Sequence, residues 1–221
     1  MSPERKGHEV MDSRSAREFN RIAKTAFAPV NPAVARQIVD LCGITEGRAV
    51  EIGSGPAHLA IELAKITDLE ISCLDISADM RLIADENLRS AGLAERIMPL
   101  TGDVVSMPFA DGVADLIISK GSVFFWRDLV SAFTEIMRVL RPGGQACVGG
   151  GFGSQALLDG MKTQMDGFDP DWITGVRRRL GNENVQRIRT ELEMAGIMDF
   201  RIIHDPWQFW ILIKRKPDYG R

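Results

Sequence analysis

The chain has 221 residues, 45% of them hydrophobic and 26% charged, a composition that suits one globular α/β domain with a sizeable core. Its net charge of −3 lacks the basic footprint of a general nucleic-acid binder. Three scattered cysteines (Cys42, Cys73, Cys147) do not make a disulfide framework, three unclustered histidines predict no metal site, and no apolar run has the length of a membrane span.

Residues 1–12 are polar and are expected to form a disordered tail. Glu4, Arg5, Lys6 and Glu9 leave no signal-peptide core there, so the expected location is cytoplasmic. Residues 13–221 read as a single domain. Its first part, 13–43, is predicted to hold two helices. One carries Phe19, Ile22, Ala23, Ala26 and Phe27 at helical spacing and closes at Pro29. The other is expected to start at Asn31-Pro32, with asparagine as cap and proline in the first turn, and to end at Gly43.

Ala49 to Ile52 reads as a short buried strand, and Pro56 onward, with Leu59, Ile61, Leu63 and Ala64, as a helix. Between them lies Gly53-Ser54-Gly55. Glycine suits a backbone that takes unusual dihedrals or passes close to a ligand, and a helix N-terminus just beyond offers unpaired N–H groups. Two further strand-plus-acid units follow: Leu69 to Leu74 ending at Asp75, then Ile97 to Gly102 ending at Asp103. A single acid in such a place is commonly a turn residue or helix cap. A series of successive strand tips, one with a glycine turn and two with an acid, points instead to a nucleotide crevice.

The helix after Asp75 is expected to be capped by Ser77 and to bury Met80, Ile83, Ala84 and Leu88 before Gly92. A fourth strand, Ala114 to Ser119, leads into Ser119-Lys120-Gly121-Ser122-Val123-Phe124-Phe125-Trp126-Arg127-Asp128. A helix with Leu129, Phe133, Ile136 and Val139 comes next, then a turn at Arg141-Pro142-Gly143-Gly144 and a strand from Gln145 to Gly149. The run Gly149 to Gly153 is predicted to be a flexible hinge, and 154–181 a lid inserted over the site. Arg177-Arg178-Arg179 within it reads as a solvated helix face, with a local positive patch that could steer an anionic substrate or an RNA backbone as the competing reading. After a helix from Asn182, strands at Phe200–His204 and Gln208–Ile213 are too closely linked for a crossover, so they must form an antiparallel hairpin.

Glu51-x-Gly53-x-Gly55, Asp75, Gly102-Asp103 with Met107-Pro108-Phe109, Ala114 to Ser119, and Leu140 to Gly144 together resemble the class I S-adenosylmethionine-dependent methyltransferases. The resemblance runs in order from about Phe19 to Lys214. It implies a Rossmann-like, doubly wound, mainly parallel seven-stranded sheet with an antiparallel C-terminal hairpin, and S-adenosyl-L-methionine as cofactor. It also implies that Gly53, Ser54 and Gly55 let the backbone approach the methionine moiety and that Glu51 holds its amine. Asp75 would take the ribose and Asp103 the adenine amino group, with Ile76 and Val104 on the adenine faces and Met80 and Ser119 completing the cofactor set. Ala57 stands where the family often has a third glycine, which implies some lost room near the methionine.

By the same resemblance Lys120, Trp126 and Asp128 are the candidates near the transferred methyl. The aromatics Phe124, Phe125, Trp126, Phe152, Phe168 and Trp172 around the predicted mouth favour a small acceptor, at least partly apolar, aromatic or anionic. A non-catalytic cofactor-binding protein and an RNA or protein methyltransferase are the alternatives. A nicotinamide oxidoreductase is disfavoured, since the full G-x-G-x-x-G spacing is missing and the chain ends in a hairpin.

Overall fold

Apolar segments of five to twelve residues alternate with amphipathic ones, and in the computed structural model, which describes residues 12–217, each apolar segment becomes a strand of one sheet. The strands are β1 (Glu46–Ile52), β2 (Asp68–Asp75), β3 (Ile97–Thr101), β4 (Ala114–Lys120), β5 (Leu140–Gly151), β6 (Phe200–Asp205) and β7 (Gln208–Lys214). Their order is β3-β2-β1-β4-β5-β7-β6, with β1 to β5 parallel and β7 antiparallel to both its neighbours. Parallel strands covered on both faces must be apolar almost throughout, and Leu116, Ile117 and Ile118 of β4 are fully buried. Pro206 and Trp207 alone link β6 to β7, as a hairpin requires.

The helices are α1 (Ser13–Thr25), α2 (Val30–Cys42), α3 (His58–Ala64), α4 (Ala78–Ser90), α5 (Leu129–Val139), α6 (Gln155–Met165), α7 (Trp172–Arg179) and α8 (Asn182–Met194). The β1-α3-β2-α4-β3 half and the β4-α5-β5 half wind in opposite directions from the sheet centre. Right-handed crossovers then place α3 and α4 on one face, where α2 packs on α3, and α5 with α8 on the other. The strand order reverses between β1 and β4, and a crevice opens at the carboxyl ends of the strands there. No helix among the described residues is long and apolar enough to cross a membrane.

Local signals hold where expected at several ends. Ser77 caps α4 by accepting from the Met80 N–H, and Gly43 closes α2 in the left-handed conformation at φ +67°. Of the expected tail, residues 1–12, all but the last lie outside the described residues, and Asp12 instead caps α1 by accepting from the Ser15 N–H at 2.8 Å.

Three expectations are corrected. Asn31 is not a cap: α2 begins at Val30, and the Asn31 side chain is buried and turned toward the crevice. The Arg141–Gly144 turn belongs to β5, where it forms a bulge between the Ala114–Leu140 and Leu116–Gln145 pairs. Gly149–Gly151 is no hinge, because these glycines pair with Trp210, Phe209 and Gln208 of β7 inside the sheet. Their lack of a side chain serves close strand packing: a Cβ at Gly149 would collide with the Phe209 carbonyl.

Candidate active site

The crevice is a cavity of about 870 Å³, within the range of small-ligand sites. Its floor is the β1–α3 turn, where Gly53, Gly55 and Ala57 all adopt positive φ (65°, 51° and 63°). At Gly53 an added Cβ would strike the Ser122 side chain, which reaches over from the end of β4 and donates to the Ile52 carbonyl at 3.1 Å. Gly53 is thus required by this close approach as well as by its dihedrals. Ala57 is fully buried and does not line the cavity, so its methyl takes no room from a ligand. What alanine costs there is a left-handed backbone, about 1 kcal/mol.

Asp75, at the tip of β2, stitches this turn together. One carboxylate oxygen accepts from the Gly55 N–H at 2.8 Å and the other from the Ser77 N–H at 2.9 Å. Burial raises its pKa, and the two backbone donors oppose the shift. Each oxygen keeps a second acceptor site for a ligand hydroxyl.

Glu51 is buried under the turn, where one carboxyl oxygen accepts from the Ala60 N–H at 3.1 Å. Burial pushes its pKa up to about 8, and the Lys120 ammonium pulls it back part of the way. Burial likewise brings Lys120 down to about 8, against the pull of Glu51. The Lys120 Nζ donates to Asn31 Oδ1 at 2.5 Å and lies 5.4 Å from the centre of the Phe27 ring. His58, at the start of α3, is held near pKa 4 by burial and is neutral at pH 7. Asn20 Oδ1 accepts from Asn87 at 3.1 Å and faces His58 Nε2 at 2.9 Å, which assigns the ring proton to Nε2 and leaves Nδ1 as an acceptor. Through Asn20, α1 is tied to the glycine turn.

Of the expected cofactor set, Glu51, Gly53, Ser54, Gly55, Asp75, Ile76, Met80, Asp103 and Val104 all line this one cavity. Ser119 does not. Its side chain is fully buried behind the wall and meets Ser122 Oγ at 2.6 Å, and Ser122 is the hydroxyl that faces the cavity. Lys120 and Trp126 line it too, with the indole Nε1 donating to Ser122 Oγ at 3.2 Å. Asp128 reaches the rim, but its carboxylate caps α5, accepting from Ser131 N–H at 2.9 Å and Ser131 Oγ at 2.6 Å. These bonds hold its pKa below the usual carboxylate value, which is the wrong direction for a general base. Asp128→Ala is therefore expected to lower Tm by roughly 2–4 °C through the lost cap and to leave cofactor affinity unchanged, measurable by scanning calorimetry and titration.

The aromatic mouth is only partly as expected. Phe124, Phe125, Phe152 and Trp172 line the cavity, but Phe168 is exposed and lies against Arg21 instead. His58 and Ser122 are cavity residues that the sequence did not single out, Asn31 is one that it gave another role, and of the arginine run Arg179 is the member that lines the cavity. Arg179 alone carried a usable signal, since Trp172, Val176 and Arg179 recur at i, i+4 and i+7, one stripe of a helix.

These residues fit an S-adenosylmethionine site. A buried carboxyl lies under the glycine turn, an acid with spare acceptor capacity ends β2, and apolar Ile76 and Val104 line the same cavity. The family described as "Methyltransferase domain" matches residues 50–148, from β1 to β5. A solved structure from Methanococcus maripaludis, named as a candidate S-adenosyl-L-methionine-dependent methyltransferase, is 42% identical and superposes with a TM-score of 0.91 over 97% of this chain and 98% of its own. Malonyl-[acyl-carrier protein] O-methyltransferase of Geobacter sulfurreducens is 32% identical over 61% of this chain, which spans about half (52%) of that relative's length. The [4+2]-cyclase SpnF, at 16% identity and a TM-score of 0.56 over 96% of this chain and 99% of its own, shares the fold alone. With its glycine turn, strand-tip acids and C-terminal hairpin in place, the chain belongs to the S-adenosylmethionine-dependent methyltransferase family.

Proposed function

We propose that the protein transfers a methyl group from S-adenosylmethionine to a small-molecule acceptor held in the same cavity. The observation that carries this reading is the division of the cavity lining. Acids (Glu51, Asp75, Asp103) belong to the β1–β3 side, whereas Lys120 at the end of β4 and Trp126, Phe152 and Trp172 after it stand on the other, where the carboxylate of Asp128 is taken up as the cap of α5.

When bound, the cofactor supplies an electrophilic methyl on a sulfonium, whose displacement leaves a neutral thioether that needs no protonation. The chain's own task is then to hold the two partners in line, an effect that can supply several kcal/mol. Glu51 would hold the ammonium, Asp75 the ribose hydroxyls and Asp103 the adenine amino group. Ile76 and Val104 would pack against the adenine. The edge-to-face contacts of Trp172 with Phe27 (6.4 Å between centroids) and Phe152 (5.7 Å) close an apolar roof that keeps water from the acceptor side. Lys120 keeps its proton at pH 7 and gives it up readily above pH 8, so it can orient an acceptor or take its proton.

Thermal-shift comparison of S-adenosylmethionine with NAD tests the cofactor, since a ligand that binds only the native state raises its stability. Stabilisation by S-adenosylmethionine alone is expected. In calorimetry, Asp75→Ala is expected to weaken its binding by roughly 1–3 kcal/mol, the loss of charge-assisted hydrogen bonds. Unchanged affinity in a folded Asp75→Ala protein would remove Asp75 from the site. Turnover with labelled methyl on a small-molecule panel separates an enzyme from a protein that only binds the cofactor. The fold it shares with a protein named as a cyclase is the reason that measurement is needed.

A further inference from the structure

The three consecutive arginines on α7 do not share one environment. Arg177 and Arg178 are exposed, whereas Arg179 is half-buried and lines the cavity on the stripe it forms with Trp172 and Val176. Its guanidinium lies 6.0 Å from the centre of the Phe125 ring. Among the described residues no carboxylate comes within ion-pair distance of it. Asp169 acts on it through space, but that carboxylate is engaged by the Asp171 N–H at 3.0 Å. Arg127 and Lys120 line the same side, and Lys120 has the neutral Asn31 amide as its hydrogen-bond partner. The acids of the cavity lie elsewhere, in the cofactor wall or as the cap of α5.

A half-buried guanidinium with no anion in contact, only the more distant charge of Asp169, loses solvation without a paired partner in return, so its position favours a ligand that brings an anion to it. Resting on the methyltransferase reading above, we propose that the acceptor is an organic anion. Its carboxylate or phosphoryl group is paired with Arg179, and its apolar body is packed against Trp172 and Phe125. The planar guanidinium fork suits such an oxyanion better than an ammonium does, because two parallel N–H donors can meet two oxygens. Seven residues of helix put Arg179 roughly 10 Å along the axis from Trp172, which is the length of a small aryl or alkyl acid. Arg179 in this role binds and orients the acceptor. It takes no part in breaking or making bonds.

The test is isothermal titration of the protein saturated with S-adenosylhomocysteine. The probes are arylalkanoic acids from benzoate to phenylbutyrate, each beside its primary amide, with benzyl phosphate as the phosphoryl arm. The best anion is expected to bind at least about tenfold tighter than its neutral counterpart. Arg179→Gln should bring that ratio to about one with S-adenosylhomocysteine affinity unchanged. Arg179→Lys should leave a reduced preference, and Arg178→Gln the full one. Whether the carboxylates or benzyl phosphate bind best names the anion. Equal binding of anions and neutral analogues throughout, no binding of any anion, or a preference that survives in folded Arg179→Gln would overturn the proposal. Failure to bind S-adenosylhomocysteine at all would instead overturn the cofactor reading on which it rests.

Discussion

Affinity for S-adenosylmethionine is expected to rise by up to about tenfold per pH unit from roughly pH 6 toward pH 8, and to fall again above it, where the cofactor's own α-amine loses its charge. In the free protein the Glu51 carboxyl is raised to about 8 by burial, so at neutral pH it carries a proton. The ammonium of the cofactor favours the carboxylate. Binding below pH 8 must therefore expel that proton, and the work of expelling it falls as pH rises toward the free-state value. Glu51→Gln has no proton to lose and should bind more weakly, with a flat profile. Titrations in buffers of different ionisation enthalpy would count the released protons directly: close to one is expected at pH 7 for the native chain and none for the variant. A flat profile for the native chain would show that Glu51 does not face the amine.

The same shift has a consequence for the free protein. A carboxyl whose folded pKa is raised favours folding fully below its ordinary value near 4.5, and this contribution is lost as pH rises through about 8. The cofactor ammonium would offset that loss. Ligand stabilisation should accordingly be largest at the alkaline end of this window.

Gly149→Ala is expected to destabilise the fold by on the order of 3 kcal/mol, read from the midpoint of urea unfolding. The added methyl meets the Phe209 carbonyl of the adjacent strand, and a backbone group of β7, paired to β5 on one side and β6 on the other, cannot step aside alone. Gly160→Ala is the matched control. It lies in α6, where nothing approaches the new methyl within 4 Å, and alanine there should add about 0.5–1 kcal/mol. Equal stability of the two variants would contradict the strand pairing of β5 with β7.

Much of the fold was legible because it is written in local chemistry. Ser77 as cap, Gly43 as helix stop and the two-residue link before Gln208 each act through neighbours a few positions away. That the strand-tip acids share one cavity was legible for a related reason. In a parallel sheet the strand tips lie side by side, so residues ending successive strands (Glu51, Asp75, Asp103) converge without any knowledge of packing.

Where the reading failed, distance in sequence was the cause. Ser119 and Ser122 are both plausible hydroxyls after β4. Which of them faces the ligand depends on the turn of chain that lets Ser122 reach Ile52, seventy residues earlier. Asp128 was a candidate near the methyl because it follows the fourth strand, yet its carboxylate is held by donors three residues ahead, as the cap of α5. The glycine run 149–151 had the composition of a hinge, and only the arrival of β7 alongside it shows why side chains are excluded.

The sequence by itself determined the order of the strands and helices, the glycine turn, the acids at the strand tips and the closing hairpin, because periodicity, caps and turn lengths are short-range properties. Tertiary structure decided which neighbour of a pair enters the cavity: Arg179 and not Arg178, Ser122 and not Ser119, Asn31 as partner of Lys120 and not as a cap. Those choices turn on helix rotation and on contacts between segments up to 89 residues apart, and the Lys120–Asn31 bond is one that no local rule encodes.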